Sequence, residues 1–206
     1  QFDVIQSDQA GHELSRGTVK WAHSGLHNVM NGLSAVIAAH QVGVKVEQAC
    51  VALSEFVGVK RRMEVICRGS GVTVYDDFAH HPTAIRETVT AIRQKHPGRR
   101  LITVFEPRSN TSVLKIHQDA LIDSFKKADE VILTTPHRLE RTPVEQRMEV
   151  LEVLKSLIKN KIPAYEFPQV EGIIEHLKSN CRSGDVVLIM SNGKFDNIHQ
   201  RLLEEL

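Results

Sequence analysis

This sequence has few cysteines, no long apolar run and no excess of either charge. Its three cysteines, Cys50, Cys67 and Cys181, are far apart and odd in number. That pattern excludes a disulfide framework and a zinc site of closely spaced thiolates, and it favours a reducing compartment. No apolar run approaches the roughly 20 residues that span a bilayer, and no signal peptide opens the chain. We therefore expect a cytoplasmic protein with no membrane partner.

The charge balance and the missing motifs narrow the function further. Lys plus Arg number 26 and Asp plus Glu number 25, so the chain offers no general attraction to nucleic acid or anionic lipid. The phosphate-binding pattern G-x-x-x-x-G-K-[ST] is absent from the sequence, since Gly193-Lys194-Phe195 lacks both the hydroxyl residue and the leading loop. We expect no nucleic-acid partner and no phosphate cradle of that type in this chain.

The first part of the chain predicts a small α/β unit. The first twenty residues alternate apolar and polar around a turn-like QAGHE, which indicates a hairpin. A helix is expected over 28–40, where apolar residues recur at helical spacing, and a second over 46–56. Gly58 then breaks the pattern, so we place a domain boundary near it. The apolar stripe of the first helix consists of Val29, Leu33, Val36 and Ile37.

After this boundary, strands and helices alternate. Apolar strands joined by helices favour an α/β fold with a mostly parallel sheet and helices on both faces. The first two strands are close enough in sequence to form a hairpin, so we expect one antiparallel strand. The predicted strands are 63–67, 72–76, 101–105, 130–134, 164–167 and 185–190. The predicted helices are 82–95, 111–127, 143–159, 170–179 and 194–205. The third helix carries an apolar stripe of Val144, Met148, Leu151, Leu154 and Ile158.

Polar groups follow three of these strands. The segments are 76–82, 106–111 and 191–193, and each lies next to a predicted helix start. Ligands of open parallel sheets bind beyond the carboxyl ends of the strands, and free N–H groups at helix starts favour anions. Helix capping by Ser, Asn or Asp is the alternative at any one of them. Three along one edge indicate a shared site.

The segment DDFAHHPT is the richest in functional groups. Asp76 and Asp77 are candidates to hold magnesium or to accept hydrogen bonds from a nucleotide. His80 and His81 are candidates to bind phosphate, shuttle a proton or bind a metal. The alternative is that one Asp and one His cap the helix that begins at Pro82. A metal-dependent phosphoesterase built on these four side chains is therefore a rival function.

Two further groups leave alternatives open. On a helix, His27, Asn28 and Asn31 share a face that could read a purine edge or a ribose, or could be solvated polar surface with Asn28 near an N-cap. Arg61 and Arg62 follow a Gly-Val-Lys turn, where an arginine can clamp phosphates or simply carry surface charge.

Five segments occur in an order that resembles the Mur ligase family: LHNVMNGLSAV, GVKRRME, VYDDFAHHPTAI, FEPRSNTS and MSNGKFD. The resemblance covers nearly the whole chain from Val19 onward. Mur ligases have a UDP-sugar domain, a central ATP-binding domain with the P-loop, and a Rossmann-like domain for the incoming amino acid or peptide. The resemblance implies that residues 1–58 are the tail of the central domain and that 59–206 are the C-terminal domain.

The family pattern also implies roles for individual residues. It places His27, Asn28, Asn31, Arg62 and Asp77 at ATP, with Asp76, His80 and His81 nearby. It places the peptide at Arg108, Ser109, Asn110, Thr111, Ser191, Asn192 and Gly193. It assigns neither a catalytic residue nor a metal ligand to this part of the enzyme. One departure is SNGKFDN where the family pattern reads SNGGFGG, so Lys194 and Asp196 add side chains there.

The implied reaction joins the tripeptide L-alanyl-γ-D-glutamyl-meso-diaminopimelate to UDP-N-acetylmuramate in peptidoglycan recycling. ATP would activate the lactyl carboxylate as an acyl phosphate, with ATP and magnesium held mainly by the central domain. This chain would supply the peptide. Arg138 and Arg141, in the loop after the strand 130–134, are candidates to reach its distal diaminopimelate, and a solvated loop is the alternative for them. Besides the phosphoesterase, a non-catalytic nucleotide-binding module is the second rival. We expect no ligase activity from this chain alone.

Overall fold

The structure is a computed structural model that describes residues 1–67, 71–136 and 142–205. The chain divides into two compact units, Gln1–Val59 and Lys60–Leu206, and each is described by itself. In the described residues, the helices are all too short or too polar to cross a membrane.

The first unit packs two helices against a hairpin. Strands β1 (Phe2–Ser7) and β2 (Glu13–Val19) pair antiparallel, and helices α1 (Leu26–Gln41) and α2 (Val46–Ser54) follow. The predicted hairpin and both helices are therefore confirmed. Val36 lies in the core, as the stripe predicted, but Ile37 is half exposed. The buried core consists of Val4, Val19, Val36, Val46, Ala49 and Cys50.

The second unit contains a six-stranded sheet in the order β3-β4-β8-β5-β6-β7. Strand β3 is antiparallel to β4, and all other neighbours are parallel, which confirms the predicted sheet. Its strands are apolar because both faces are covered. They are β3 (Glu64–Cys67), β4 (Thr73–Asp77), β5 (Leu101–Phe105), β6 (Glu130–Thr134), β7 (Ala164–Phe167) and β8 (Val186–Met190).

Helices cover the sheet on both faces. In this unit, the helices over 82–95, 118–124 and 150–159 pack their buried side chains on one face of the sheet, and those over 170–180 and 198–205 pack on the other face. Leu188 and Ile189 of β8, for example, belong to different cores. The helices are α3 (Pro82–Lys95), α4 (Gln118–Ser124), α5 (Val150–Lys159), α6 (Val170–Asn180) and α7 (Ile198–Glu205).

Three predicted helices begin later than the sequence indicated. Helix α4 was expected from 111 and α5 from 143, but residues before each form a tertiary pair instead. Leu114 and Arg147 form an antiparallel bridge, and the Met148 N–H donates to Val113 O at 2.8 Å. This pairing satisfies backbone groups that a longer helix would use. Helix α7, expected from 194, is likewise preceded by a separate 3-10 turn at Phe195–Asn197.

The predicted apolar stripe of the α5 segment is confirmed for Met148, which is buried, and for Leu154, which packs against the core, but it is wrong for the other three residues. Val144 lies outside the helix and is exposed, and Leu151 and Ile158 are 67% and 57% exposed. The helix instead buries Val153 and Leu157 against the sheet. The core-facing residues Val150, Val153, Leu154 and Leu157 have the i, i+3, i+4, i+7 spacing of one helix face, and Leu151 and Ile158 lie beside that face.

Candidate functional site

Three polar strand ends converge at one edge of the sheet, as predicted. Strand β8 lies between β4 and β5, so Met190 pairs with both Asp77 and Phe105. The Ser191 N–H donates to Asp77 O at 3.2 Å, and the Glu106 N–H donates to Met190 O at 3.0 Å. The polar segments after β4, β5 and β8 are therefore neighbours, at the edge where open parallel sheets bind ligands.

A pocket of about 500 Å³ opens beside these strand ends. It extends from β5 toward β6 and the start of α6, which the sequence interpretation did not include. Of the seven predicted peptide-binding residues, only Arg108 is part of its lining. The lining consists of Glu106, Arg108, Thr134, Pro168, Gln169, Val170, Glu171, Phe195 and Asp196.

Arg108 is held by two neighbours at the edge of this pocket. Its Nη1 lies 3.3 Å from Glu106 Oε1, within a carboxylate that is almost fully buried. Its side chain also crosses Gly193, where an added Cβ would stand 2.5 Å from Arg108 Cδ. The Arg108 side chain is 38% exposed, and its guanidinium has five N–H donors, so donors remain for a ligand.

The predicted anion site at a helix start near Thr111 is wrong. The Ser109 hydroxyl accepts the Ser112 N–H at 3.0 Å and lies 3.2 Å from the Thr111 hydroxyl, so the segment is a turn. The α-helix of this segment begins only at Gln118. The helix start that does line the pocket is that of α6, where Gln169 is the N-cap and makes no side-chain capping bond. The first N–H groups of a helix have no partner within the helix, and such groups favour anions.

The pocket combines these donors with carboxylates. Glu106, Glu171 and Asp196 contribute acidic groups to the lining. Arg201 lies 2.7 Å from Glu171 Oε1 and 2.8 Å from Asp196 Oδ2, so it ties together the two exposed carboxylates. Asp196 is thus part of the lining where the family pattern has glycine.

Besides Asp76 Oδ1, two buried side-chain oxygens at the strand ends have no hydrogen-bond partner in the described part of the chain. They are Thr134 Oγ1, at the end of β6 in the pocket lining, and Asn192 Oδ1. Buried polar atoms are normally satisfied, so such atoms often mark a place where a ligand or water binds. The sequence held a signal for Thr134, because it ends a predicted strand like the other site residues.

The two aspartates at the end of β4 form hydrogen bonds within the protein itself. Asp76 Oδ2 accepts Arg61 Nε–H at 3.0 Å, and its Oδ1 lies 3.0 Å from His199 Nε2 without hydrogen-bond geometry. Asp77 accepts the Met63 N–H at 2.8 Å and the Ala79 N–H at 2.7 Å. Both carboxylates are buried. The suggestion that they hold magnesium is therefore not supported.

Asp77 and its surroundings have opposing electrostatic effects. Burial raises the pKa of the Asp77 carboxyl above its ordinary value. The N–H groups of Ala79 and Met63 and the charge of Arg62 lower it, but burial has the larger effect. Burying this carboxyl group costs solvation free energy, and its hydrogen bonds to two backbone N–H groups offset part of that cost.

The two histidines do not complete a metal site. His80 Nδ1 lies 2.9 Å from Phe78 O, whereas the exposed His81 packs its ring against His117 with centroids 5.2 Å apart. Within the described ranges, no three His, Cys, Asp or Glu side chains are placed to hold a metal ion. His81 is the N-cap residue of α3, as the capping alternative had it, but α3 has no side-chain capping bond. The arrangement gives the phosphoesterase alternative no support.

Arg62 is presented by a tight turn that the aspartates hold. Arg61 and Met63 have positive φ values of 59° and 49°, a region that costs energy for residues with a side chain. The Phe78 N–H donates to Arg61 O at 2.8 Å. Arg62 is exposed, with its guanidinium 6.0 Å from the centroid of the Phe78 ring.

In the first unit, the predicted amide face lies at the start of α1. Asn28 Nδ2 donates to Ser24 O at 2.6 Å, and Asn31 is exposed one turn later. His27 Nδ1 is buried without a hydrogen-bond partner among the described residues. Gly25, with φ of 94°, is the N-cap, so Asn28 lies near an N-cap, as the alternative interpretation had it.

The family pattern described as "Mur ligase, glutamate ligase domain" matches residues 61–193, which is most of the second unit. This chain belongs to the Mur ligase family.

Within the family, the chain is similar to ligases that act on a peptide. It is 43% identical over 191 residues to the UDP-N-acetylmuramate–L-alanyl-gamma-D-glutamyl-meso-2,6-diaminoheptandioate ligase of Escherichia coli, covering 92% of this chain and 40% of that protein. The ligase of the same name from Haemophilus influenzae is 40% identical over 189 residues, covering 91% and 40%. The chain thus spans about 40% of the length of these relatives.

A solved structure agrees with this similarity. The crystal structure of a murein peptide ligase from Psychrobacter arcticus has 44% sequence identity and a TM-score of 0.70, covering 91% of this chain and 38% of that one.

Proposed function

We propose that this chain is the peptide-binding C-terminal part of an ATP-dependent ligase that joins L-alanyl-γ-D-glutamyl-meso-diaminopimelate to UDP-N-acetylmuramate. Residues 1–58 would be the tail of the central ATP-binding domain, and 59–206 the C-terminal domain. The observation that carries the proposal is the strand-end pocket that contains Arg108, in a chain whose relatives at 40% and 43% identity are named for this reaction.

The chemistry of the pocket suits such a peptide. The tripeptide carries several carboxylates, and the distal end of diaminopimelate also carries an ammonium group. Arg108 and the N–H groups at the start of α6 are donors for a carboxylate. Glu171 and Asp196 are acceptors for an ammonium group. Arg138 and Arg141, expected to reach the distal diaminopimelate, lie outside the described residues.

The remaining strand-end residues have supporting roles in this proposal. Ser109, Asn110 and Thr111 form the turn after Arg108, with Asn110 and Thr111 exposed. Ser191, Asn192 and Gly193 form the neighbouring loop, in which Gly193 leaves space for Arg108. The peptide would contact the exposed turn and the Asn192 amide, whereas Ser191 is buried.

For ATP, we propose Arg62 as the phosphate contact from the second unit, because it is exposed on a fixed turn. His27, Asn28 and Asn31 are proposed contacts from the first unit. Asp76, Asp77 and His80 would shape the nucleotide side of the second unit by holding that turn and its neighbours, with His81 exposed beside them. The described side chains offer no magnesium site, so we assign the metal no ligand here.

In the proposed reaction, ATP converts the lactyl carboxylate of UDP-N-acetylmuramate into an acyl phosphate. The neutral amine of the peptide then attacks the acyl carbon, and phosphate leaves. The part of this chain is to bind the peptide by its carboxylates and to hold its amine in position for attack. Arg62 would stabilise charge on the transferred phosphoryl group.

The direct test is the kinetics of Arg108→Ala in the complete ligase, with tripeptide varied at saturating ATP and UDP-sugar. Loss of a charge-assisted contact of about 1.5–3 kcal/mol should lower kcat/KM for tripeptide about tenfold or more. Arg86→Ala is the matched control, because Arg86 is an exposed arginine on α3 that lies 3.7 Å from Glu87. Equal constants for Arg108→Ala and wild type would remove Arg108 from the peptide site.

A second measurement separates the ligase from a nucleotide-binding module. Calorimetry on the 206-residue chain should detect no tight ATP binding, because the sequence has no P-loop motif. Micromolar affinity for ATP in this chain would favour the module.

A further inference from the structure

Ser191 connects the two sides of the candidate site. It is fully buried at the end of the middle strand β8. Its carbonyl accepts Arg61 Nη2–H at 2.7 Å, on the side of β4. Its hydroxyl donates to Glu106 Oε2, on the side of β5, and accepts the Gly193 N–H at 2.8 Å. One residue therefore bonds to groups from both neighbouring strand ends.

On the β4 side, Arg61 belongs to the turn that presents Arg62. Its guanidinium bonds at once to Asp76 and to the Ser191 carbonyl. Its backbone has a positive φ of 59°, so the turn persists only where its surroundings hold it. The two side-chain bonds of Arg61 provide part of this restraint.

On the β5 side, Glu106 belongs to the restraint on Arg108. It is 1% exposed and receives the Ser191 hydroxyl on one oxygen and Arg108 Nη1 on the other. Arg108 then crosses Gly193, whose own N–H donates to the Ser191 hydroxyl. The Arg108 side chain is thus held by Glu106 and packed against Gly193, and both of these residues bond to the Ser191 hydroxyl.

We propose that Ser191 and Glu106 are positioning residues that hold Arg61 and Arg108 in one hydrogen-bonded unit. Arg62 of the turn and Arg108 of the pocket are then fixed relative to each other. A substitution at Glu106 should therefore alter the hydrogen bonding of Arg61. The roles of the two arginines toward substrate rest on the proposed function. The hydrogen-bonded unit itself does not, and it can be tested separately.

The first experiment uses the 206-residue chain and needs no activity. Solvent exchange of arginine Nε–H protons is measured by ¹⁵N NMR in wild type, Ser191→Ala and Glu106→Gln. Both variants keep the two acceptors of Arg61, the Asp76 carboxylate and the Ser191 carbonyl, so exchange at Arg61 should quicken only because the residue 191 backbone shifts. The expected factor is about fivefold, which corresponds to one hydrogen bond of ordinary net strength. The Nε–H of Arg93, which donates to Lys127 O at 3.0 Å in another part of the unit, is the internal reference.

Glu130→Gln is the matched control variant. Glu130 is also buried and paired with an arginine, Arg100, but it begins β6 and so lies at the opposite edge of the sheet. It should leave exchange at Arg61 unchanged. If Arg61 exchange stays at the wild-type rate in Glu106→Gln and Ser191→Ala, or rises as much in Glu130→Gln, the positioning unit does not exist.

The second experiment tests the effect of the hydrogen-bonded unit on the kinetics of the complete ligase. Glu106→Gln should raise KM for tripeptide about tenfold, as expected for a misplaced charge-assisted contact, with KM for UDP-sugar unchanged. Combined with Arg62→Lys, the loss of kcat/KM should be smaller than the product of the single losses, because coupled sites are not additive. Multiplicative losses would overturn the coupling. If the complete wild-type enzyme does not use the tripeptide as a substrate, the proposed function is overturned, but the NMR result is unaffected.

Discussion

Arg108 lies so close to Gly193 that an added Cβ at residue 193 would stand 2.5 Å from Arg108 Cδ and 2.6 Å from Nε. Gly193 has no positive φ, so the backbone itself tolerates alanine there. The requirement for glycine at this position therefore comes from the arginine that crosses it. Gly193 belongs to the site because of a side chain that lies 85 residues away in sequence.

Gly193→Ala should displace Arg108 while leaving the fold intact. The far end of Arg108 is partly exposed and can move aside, but this weakens its bond to the buried Glu106, so the free energy of unfolding should fall by about 1 kcal/mol. In the complete ligase, KM for tripeptide should rise about tenfold, by loss of one charge-assisted contact. Adding Arg108→Ala to Gly193→Ala should cause no further loss, and an additive loss would separate the two residues.

Asp77→Ala and Arg62→Ala should have different effects on stability. Asp77 accepts two backbone N–H groups in a buried position, so its removal should destabilise the second unit by roughly 2 kcal/mol. Arg62 is exposed, and its removal should cost under about 0.5 kcal/mol. Urea unfolding of the 206-residue chain measures both. An Asp77→Ala chain as stable as wild type would show that the turn is held by other contacts.

Gly32→Ala should destabilise the first unit. A Cβ at Gly32 would stand 2.8 Å from Trp21 Cη2 and 3.0 Å from Phe2 Cζ, inside an aromatic cluster. Overpacking of this kind costs about 1–3 kcal/mol. Trp21 is the single tryptophan of the sequence, so its fluorescence follows unfolding of this unit. Ser34→Ala, at an exposed position of the same helix, is the control and should leave the transition nearly unchanged.

The thiol of Cys181 should make stability depend on pH in the alkaline range. Burial, assisted by Asp185, raises the pKa of Cys181 from 9.0 to about 11. A raised pKa in the folded state contributes stability that is present below the unfolded value and is lost as pH rises from 9.0 to about 11. Urea unfolding at several pH values should therefore show wild type losing more stability than Cys181→Ser across this window. Parallel pH profiles would contradict the raised pKa.

The order of elements and the polar strand ends were predictable because their signals are local. Apolar runs such as VVLIM indicate buried strands wherever they occur, and Pro82 indicates a helix start. The same reasoning failed for the starts of α4 and α5. There, the pairing of Leu114 with Arg147 competes with helix formation, and a contact between residues so far apart leaves no trace in local periodicity.

The site was predictable in its location but not in its contacts. Arg108 and Ser191 follow recognisable strands, but the pocket wall at 168–171 lies at the start of a helix that local patterns did not connect to them. Asp76 and Asp77 were candidate ligands by their chemistry. Their partners, Arg61 and Met63, are brought to them by the pairing of β3 with β4, whose register the local sequence does not reveal.

By itself, the sequence determined that this chain forms a hairpin with two helices followed by a mostly parallel α/β sheet, and that polar groups end its strands. Only the tertiary structure decided which of these groups meet. The insertion of β8 between β4 and β5 brings Ser191 against both Arg61 and Glu106, which are 130 and 85 residues away. Strand order is set by the packing of helices on both faces, and this depends on the whole chain at once.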